Sequence, residues 1–346
     1  MQTKILGAND LSTLLERVGR DELMDLMIGA LRRRFADHDS ESVDARARAG
    51  FRYDKPALGL IEWMPTHEVG GPVVIKMVGY HPTNPTQRAL PSVIATSSMW
   101  DTETGHLAAI SDSTLLTALR TGAASGLATD LMAKNGPVTV GLIGLGAQAV
   151  TQLHAISRVR EIERVVGYDP SPEPSDTFAQ RIAFLDVPFE HCDPEGLEAM
   201  AADVDVLVTC TSVDIGAGPV VGDFEPRPWL HVNAVGADFP GKLELPTGLL
   251  DRALVVPDTL EQCLAEGECQ QVPASQIGPE LFEYVQAADT AAERSRVTVF
   301  DSTGWAVEDD VALRVVLELA ERHGVGHSIQ LESIPLDPYD PYGEVR

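Results

Sequence analysis

The stretch GLIGLGAQA at residues 141–149 has the spacing of a dinucleotide-binding turn. Gly144, Gly146 and Ala149 fit the pattern GxGxxA, which here follows a β-rich run and opens a helix. The first glycine permits a tight turn, the second lets a pyrophosphate approach the backbone, and the small third residue lets helix and strand pack closely. Asp169 ends the next β-rich run, where a carboxylate would accept hydrogen bonds from ribose hydroxyls and repel a 2′-phosphate. A glycine turn without a ligand is the alternative, but the two features together favour NAD.

Three charged side chains lie in apolar stretches, where an unpaired charge would be costly. Glu62 is in LIEWMP, Lys76 in VVIKMVG and Arg120 in TALRTGA. One interpretation is a structural ion pair of Glu62 with Lys76 or with Arg120. The other is a carboxylate clamp formed by Lys76 and Arg120, since a guanidinium group can hold a carboxylate at two points.

Polar residues also follow several β-rich runs, and doubly wound sheets bind ligands at the carboxyl ends of their strands. The stretches TCTSV, NAVGADFPGKLEL and FDSTG therefore place Thr211, Asp238, Lys242 and Ser302 near a dinucleotide. Asp238 could bind a substrate ammonium group or move its proton. Alternatively, its carboxylate caps local N–H groups or pairs with Lys242.

The elements that would position these residues fall into two regions. Residues 1–125, completed by 322–346, are predicted to form an α+β domain with two helices broken near position 20 and an antiparallel meander of four short strands. A helix that starts near Ser111 leads to residues 126–321, where strands and helices alternate. This alternation predicts an α/β fold with a Rossmann-type doubly wound parallel sheet.

The composition excludes several classes of partner. Asp and Glu number 52 against 26 Lys and Arg, and the net charge of −26 would repel nucleic acid and anionic membranes. We find no apolar run long enough for a membrane span or a signal peptide. The four cysteines form no CxxC pair, which disfavours a zinc site and a disulfide framework. We therefore expect a cytoplasmic protein with free thiols and no bound metal.

Seven motifs together resemble the ornithine cyclodeaminase/mu-crystallin family over nearly the whole chain. In chain order they are IEWMP, KMVGYHPTNP, LTALRTGAAS, IGLGAQA, NAVGADFPGKLEL, EGECQQVP and VTVFDSTGWAVED. The opening residues, IEWMP and the ending LDPYDPY are most similar to the branch that makes pipecolate from L-lysine, followed by the branch that makes proline from L-ornithine. The resemblance implies a homodimer in which the first region binds substrate and dimerises and the second binds NAD.

The resemblance also implies roles for individual residues. Asp238 would be the catalytic acid/base, and Glu62 would act on the α-amine or the departing ammonia. The substrate carboxylate would contact three cations, namely Arg48, Lys76 and Arg120, with Arg52 as an alternative to Arg48. The substrate side chain would face the hydroxyl of Thr303. The residues expected around NAD are Ser92, Thr121, Gly144, Gly146, Ala147, Gln148, Asp169, Thr211, Ser212, Asn233, Val235, Lys242 and Ser302.

The implied reaction is a cyclodeamination in which a hydride leaves the substrate and returns after ring closure and loss of ammonia. Two other classes remain open: a net NAD(P)-dependent amino-acid dehydrogenase or cyclic-imine reductase, and a ligand-binding protein without catalysis. A steady change in nicotinamide absorbance would identify the first, and tight binding without ammonia release the second. Lysine and ornithine differ by one methylene, which a pocket discriminates by about 1–3 kcal/mol. The preference for lysine therefore rests on the resemblance.

Overall fold

The structure is a computed structural model in which residues 1–287 and 291–345 are described. In chain order, the strands of these residues are β1 (Thr3–Leu6), β2 (Val43–Ala45), β3 (Ala49–Tyr53), β4 (Gly59–Glu68), β5 (Val73–Tyr80), β6 (Val93–Trp100), β7 (Leu107–Asp112), β8 (Val138–Ile143), β9 (Ile162–Tyr168), β10 (Phe189–His191), β11 (Val206–Thr209), β12 (His231–Ala234), β13 (Leu254–Pro257), β14 (Thr298–Asp301) and β15 (His327–Ile329). The α-helices are α1 (Ala8–Val18), α2 (Arg20–Ala36), α3 (Asn84–Arg88), α4 (Thr114–Met132), α5 (Ala147–Val159), α6 (Pro172–Arg181), α7 (Leu197–Asp203), α8 (Thr247–Leu250), α9 (Leu260–Glu266), α10 (Leu281–Gln286) and α11 (Ala306–His323).

The chain forms two compact units, of which the first comprises Met1–Gly19, Asp39–Leu116 and Leu313–Arg346. Its sheet has the strand order β15-β1-β7-β6-β5-β4-β2, with β3 also paired to β4. Strands β4 to β7 pair antiparallel in sequence order, as short connections between neighbouring strands require. The predicted meander is therefore confirmed. Near the C-terminus, β15 pairs antiparallel with β1.

The two faces of this first sheet differ in chemistry because side chains alternate along each strand. Phe51, Ile61 and Ile94 belong to one row of cross-strand partners, and Met77 lies in the next row on the same face. All four apolar side chains are exposed, and we call this surface the exposed apolar face. The opposite face carries Lys76, which is only 1% exposed.

The second unit comprises Arg20–His38 and Thr117–Ala312. Its seven-stranded sheet has the order β10-β9-β8-β11-β12-β14-β13, and every neighbouring pair is parallel. The strand order runs outward in opposite directions from β8 and β11, so the topological switch point lies between the carboxyl ends of these two strands. The predicted fold class, a Rossmann-type doubly wound parallel sheet plus an α+β unit, is confirmed.

Both faces of the parallel sheet are covered by apolar side chains. Neighbouring residues of β11 divide between two hydrophobic clusters: Leu207 belongs to one, and Val206 and Val208 belong to the other. All three side chains are fully buried. A strand buried on both faces explains why the sequence has a continuous apolar run here instead of an alternating pattern.

The helices follow the predicted pattern closely. The break expected near position 20 falls between α1 and α2, and the helix expected after Ser111 is α4. A Cβ atom on Gly122 of α4 would lie 2.5 Å from the carbonyl oxygen of Thr151, so this glycine allows α5 to approach. No helix within residues 1–287 and 291–345 has the length and apolar character of a membrane span.

Candidate active site

The glycine-rich turn between β8 and α5 is built to receive a phosphate group. Gly144 has φ +94°, and a Cβ atom there would lie 2.8 Å from the carbonyl oxygen of Cys210. At Gly146, in contrast, the Cβ position faces open space. Gly146 also precedes the first residue of α5 and has no side chain that could cap the N–H groups at the start of this helix. Open space at the start of a 13-residue helix, together with its exposed donors, fits the pyrophosphate of a dinucleotide.

Asp169 fixes the shape of this turn. One of its carboxylate oxygens accepts a 2.8 Å hydrogen bond from the backbone N–H of Leu145, and the other accepts one of 2.8 Å from Ser171. Arg181 supports the same turn by donating to the carbonyl oxygens of Leu145 and Gly146. Asp169 therefore orients the backbone that would meet the cofactor, and its hydrogen bond to a ribose stays a prediction.

Asp238 and Lys242 form an ion pair in the loop after β12. Lys242 donates to Oδ1 of Asp238 over 3.1 Å, and the two side chains are 10% and 43% exposed, respectively. The pairing considered from sequence is thus present. It does not occupy the whole aspartate surface, because nearly half of that side chain reaches solvent.

Arg120 is held by two acids of α11 that sequence reasoning had not connected with it. Its Nη1 donates to Glu308 over 2.7 Å and its Nε donates to Asp309 over 3.1 Å. Burial lowers the pKa of Arg120, but the attraction of Asp309 and Glu308 outweighs that effect and raises it. Burial also raises the pKa of Glu308 to about 8 despite the nearby guanidinium. A Cβ atom on Gly304 would lie 2.6 Å from this guanidinium, so a glycine is required beside it.

Two charged residues of the first unit, Lys76 and Glu62, lie on the buried face of its sheet. Lys76 pairs with Met64 and Ser97 across the strands, and Glu62 lies in the adjacent row of the same face. Nη1 of Arg48 lies 3.7 Å from Oε2 of Glu62, and the two side chains are 11% and 13% exposed, respectively.

Arg52, the alternative to Arg48, is exposed. Arg48 is thus the more buried of the two candidate arginines, and its role in binding the substrate carboxylate stays a prediction.

Most of the other predicted cofactor residues lie at the carboxyl end of the parallel sheet. Thr211 follows β11, and both its N–H and its hydroxyl donate to Glu244 over 2.7 Å. Ser302 follows β14 and donates to Asp258 over 3.3 Å. Val235 follows β12, and its N–H donates to the carbonyl of β11 residue Thr209.

Four further residues have varied surroundings. Ser212 and Ala147 are exposed, and Gln148 is half-buried in the first turn of α5. Thr303 accepts a 2.7 Å hydrogen bond from Gln262 and donates to Asp258 over 3.3 Å.

Three predicted cofactor residues already make contacts of another kind. The side chain of Asn233 is fully buried, and its amide donates to Thr129 over 3.0 Å. The hydroxyl of Thr121 donates to the carbonyl of Thr117 over 2.9 Å. The carbonyl of Ser92 accepts from the N–H of His81 over 2.7 Å. Their binding of NAD stays a prediction, and these contacts account for the side chains of Asn233 and Thr121 without a ligand.

Sequence reasoning missed a group of buried acids in the second unit, namely Glu244, Asp258, Glu268, Asp301, Glu308 and Asp309. The available signal was their occurrence in otherwise apolar or glycine-rich stretches such as GKLEL and WAVEDD. Among the described residues, no three acidic, histidine or cysteine side chains are grouped as a metal site would require.

Comparison with known proteins places this geometry in a family. The profile of the ornithine cyclodeaminase/mu-crystallin family matches residues 9–324. The chain belongs to this family. The chain is also similar to an L-lysine cyclodeaminase from Streptomyces rapamycinicus, with 43% identity over 344 residues, or 99% of each chain.

Two solved structures extend the family comparison. A lysine cyclodeaminase, described for its recognition of L-lysine, L-ornithine and L-2,4-diaminobutyric acid, matches with a TM-score of 0.94 and 44% identity over 99% of both chains. An archaeal alanine dehydrogenase dimer with bound NAD matches with a TM-score of 0.84 and 31% identity over 96% of this chain and all of the other. These findings confirm the resemblance inferred from the seven motifs.

Proposed function

We propose that the protein is an NAD-dependent ammonia-lyase that cyclises L-lysine to L-pipecolate and releases ammonia. The observation that carries this proposal is the 43% identity to an L-lysine cyclodeaminase over 99% of both chains. The cations, acids and dinucleotide turn described above are the groups that such a reaction needs.

NAD fits the second unit on the chemistry of its own residues. The open Cβ position at Gly146 and the N–H groups at the start of α5 suit a pyrophosphate, and Asp169 suits a ribose. When bound, NAD supplies reversible removal of a hydride, so that the reaction begins with an oxidation and ends with the matching reduction.

Three cations are proposed to bind the substrate carboxylate: Arg48, Lys76 and Arg120. Lys76 and Arg120 are 1% and 5% exposed, which strengthens their attraction for an anion compared with a solvated charge. Glu308 and Asp309 fix the guanidinium plane of Arg120. Holding one end of the diamino acid makes its ring closure an oriented intramolecular reaction, which is favourable on entropic grounds.

Proton movement is assigned to two acids. Only a neutral amine is nucleophilic, so a base must take a proton from the side-chain ammonium group before the ring closes. Asp238 is oriented by Lys242 and remains 43% exposed, so it can accept this proton and exchange it with solvent. Glu62, which is paired with Arg48, is proposed to act on the α-amine or the departing ammonia.

The deciding experiment incubates the purified protein and NAD⁺ with L-lysine and, separately, with L-ornithine. We expect L-pipecolate and an equimolar amount of ammonia from lysine, without a steady rise in reduced nicotinamide. Stoichiometric reduced nicotinamide with a linear keto acid would instead indicate a dehydrogenase, the activity of the 31% identical alanine dehydrogenase. A higher kcat/KM for L-ornithine would reassign the substrate.

A homodimer is part of the same proposal, because the first unit carries an apolar sheet surface in need of a cover. Phe51, Ile61, Met77 and Ile94 are between 39% and 69% exposed on the exposed apolar face. We propose that a second copy of this chain covers the exposed apolar face. Light scattering after size-exclusion chromatography tests this by measuring the molar mass in solution. Ile61→Asp should yield monomers, whereas a monomeric native protein would remove the proposal.

A reducing cytoplasm is proposed as the location because all four cysteines are free thiols.

A further inference from the structure

Three buried carboxylates of the second unit form a connected series that ends at the predicted cofactor loops. Asp301, at the end of β14, accepts hydrogen bonds from the N–H groups of Glu268 and Cys269 over 2.9 and 2.8 Å. Glu268 in turn accepts from the N–H groups of Glu244 and Leu245 over 2.6 and 3.3 Å. Each acid thus holds the backbone that carries the next one.

Glu244 is the last acid of this series and contacts two strand ends at once. Its Oε1 accepts from both the N–H and the hydroxyl of Thr211 over 2.7 Å, and its Oε2 accepts from the N–H of Gly236 over 2.8 Å. Thr211 follows β11 and Gly236 follows β12. A Cβ atom on Gly236 would collide with Glu244 Oε1, so this position requires a glycine.

The contacts of Glu244 suit the ionised form of a buried acid. Its side chain is 0% exposed, and burial raises its pKa, but every partner named above donates a hydrogen. An ionised carboxylate accepts all of these hydrogens, whereas a protonated one would have to turn a donor toward a donor. Burying such a group is costly, and the cost is offset where its hydrogen bonds are satisfied.

We propose that Glu244 is a positioning residue for the dinucleotide, which fixes the loops after β11 and β12 before the cofactor binds. This inference rests on the proposed NAD-dependent function. The hydroxyl hydrogen of Thr211 is directed at Glu244, so Thr211 presents only oxygen lone pairs to a ligand. Glu244 therefore makes Thr211 a hydrogen-bond acceptor, suited to a ligand hydroxyl or amide and unsuited to a phosphate.

The test compares Glu244→Gln with a matched variant at the opposite end of the same sheet. Asp205 precedes β11, is 1% exposed, and accepts hydrogen bonds from the N–H of Thr139 and from Trp229. Asp205→Asn therefore also removes a buried charge that ties strands together, but at the edge away from the cofactor loops. Binding of NAD⁺ to the full-length protein is measured by calorimetry without amino acid, below the Tm of every variant.

We expect Glu244→Gln to weaken NAD⁺ binding about tenfold or more, the effect of losing a hydrogen bond to a charged group. Asp205→Asn should lower Tm while leaving the Kd for NAD⁺ unchanged. Native affinity in folded Glu244→Gln, or equal weakening in both variants, would overturn the positioning role. A native protein that binds no NAD⁺ would instead remove the proposed function itself.

Amide hydrogen exchange of the native protein tests the same idea without any substitution. The amides of Thr211 and Gly236 should exchange slowly before NAD⁺ is added, because both are bonded to a buried carboxylate. Fast exchange that slows only after NAD⁺ binds would show that the cofactor orders these loops. That result would overturn the proposal even if Glu244→Gln failed to fold.

Discussion

At the residue scale, the pairing of Asp238 with Lys242 defines what the aspartate contributes. The lysine holds one carboxylate oxygen at 3.1 Å while the side chain remains 43% exposed. Asparagine keeps the shape of this group but cannot accept a proton. We expect Asp238→Asn to reduce kcat by about 10²-fold or more, the usual contribution of a general base, while NAD⁺ binding is retained.

The measurement is ammonia release at saturating lysine, combined with calorimetric NAD⁺ titration. The exposed acid Asp251 of the same unit supplies the control, because Asp251→Asn should leave both quantities unchanged. Near-native turnover of Asp238→Asn would remove the acid/base role and leave the ion pair as a structural feature.

Arg120 offers a second residue-scale prediction, since its guanidinium is shared between Glu308 and Asp309. Lysine keeps the charge but loses the planar fork. Arg120→Lys should raise KM for the amino acid about tenfold or more, because a hydrogen bond to a charged group is lost. The Tm of the Arg120→Lys variant should also fall.

Arg160→Lys is the matched control, because Arg160 is 7% exposed and pairs with Asp130 over 2.9 Å. This variant should lose stability without a change in KM. A drop in Tm with an unchanged KM in Arg120→Lys would assign Arg120 to a structural ion pair with Glu308 and Asp309.

At the scale of the element, the turn into α5 separates two uses of glycine. Gly144 has φ +94° with a backbone oxygen close to its Cβ position, whereas the Cβ position of Gly146 is open. Gly144→Ala should therefore lower stability by about 1–3 kcal/mol, the usual cost of such a conformation outside glycine. Gly146→Val should leave Tm unchanged and weaken NAD⁺ binding. Thermal unfolding measures the change in stability, and calorimetry measures the change in NAD⁺ binding. A Gly144→Ala variant of native stability, or a Gly146→Val variant that loses stability but binds NAD⁺ normally, would contradict these two roles.

The helices and strands were largely predictable from the sequence because hydrophobic periodicity and the placement of glycines are patterns within short segments of the chain. The meander of β4 to β7, the helix break after α1 and the parallel strands from β8 onward all follow from short patterns. The glycine turn and Asp169 were predictable for the same reason, as their spacing is set by a single β-α-β segment.

Partners distant in sequence were not predictable in this way. Arg120 lies 188 residues from Glu308, and Glu244 lies 33 residues from Thr211. A hydrophobic pattern indicates which residues are buried, but it does not indicate which buried donor meets which buried acid. The sequence therefore indicated that Arg120 needed a partner and offered Glu62, whereas the partners in the structure are Glu308 and Asp309.

At the scale of the whole molecule, acidic side chains lie both on the surface and in the interior. Exposed acids contribute to the net charge of −26, and salt screens their mutual repulsion. Buried acids are screened far less. Burial raises the pKa of Asp301 from 3.8 to about 7 and that of Glu308 from 4.5 to about 8. Burial lowers the pKa of His231 from 6.5 to about 3, which has the opposite consequence.

The stability of the fold should depend on pH through these buried groups. With their raised pKa values, Asp301 and Glu308 bind protons in the folded state that the unfolded chain has released, so their stabilisation is lost as pH rises toward 7 and 8. His231 destabilises the fold only below its ordinary pKa of 6.5. Above about pH 6.5, where His231 no longer offsets this loss, Tm should thus fall until about pH 8, even in high salt. Glu308→Gln should make this decline shallower. A Tm that is independent of pH in high salt would place the pH response in the screened surface charge and contradict the buried-acid account.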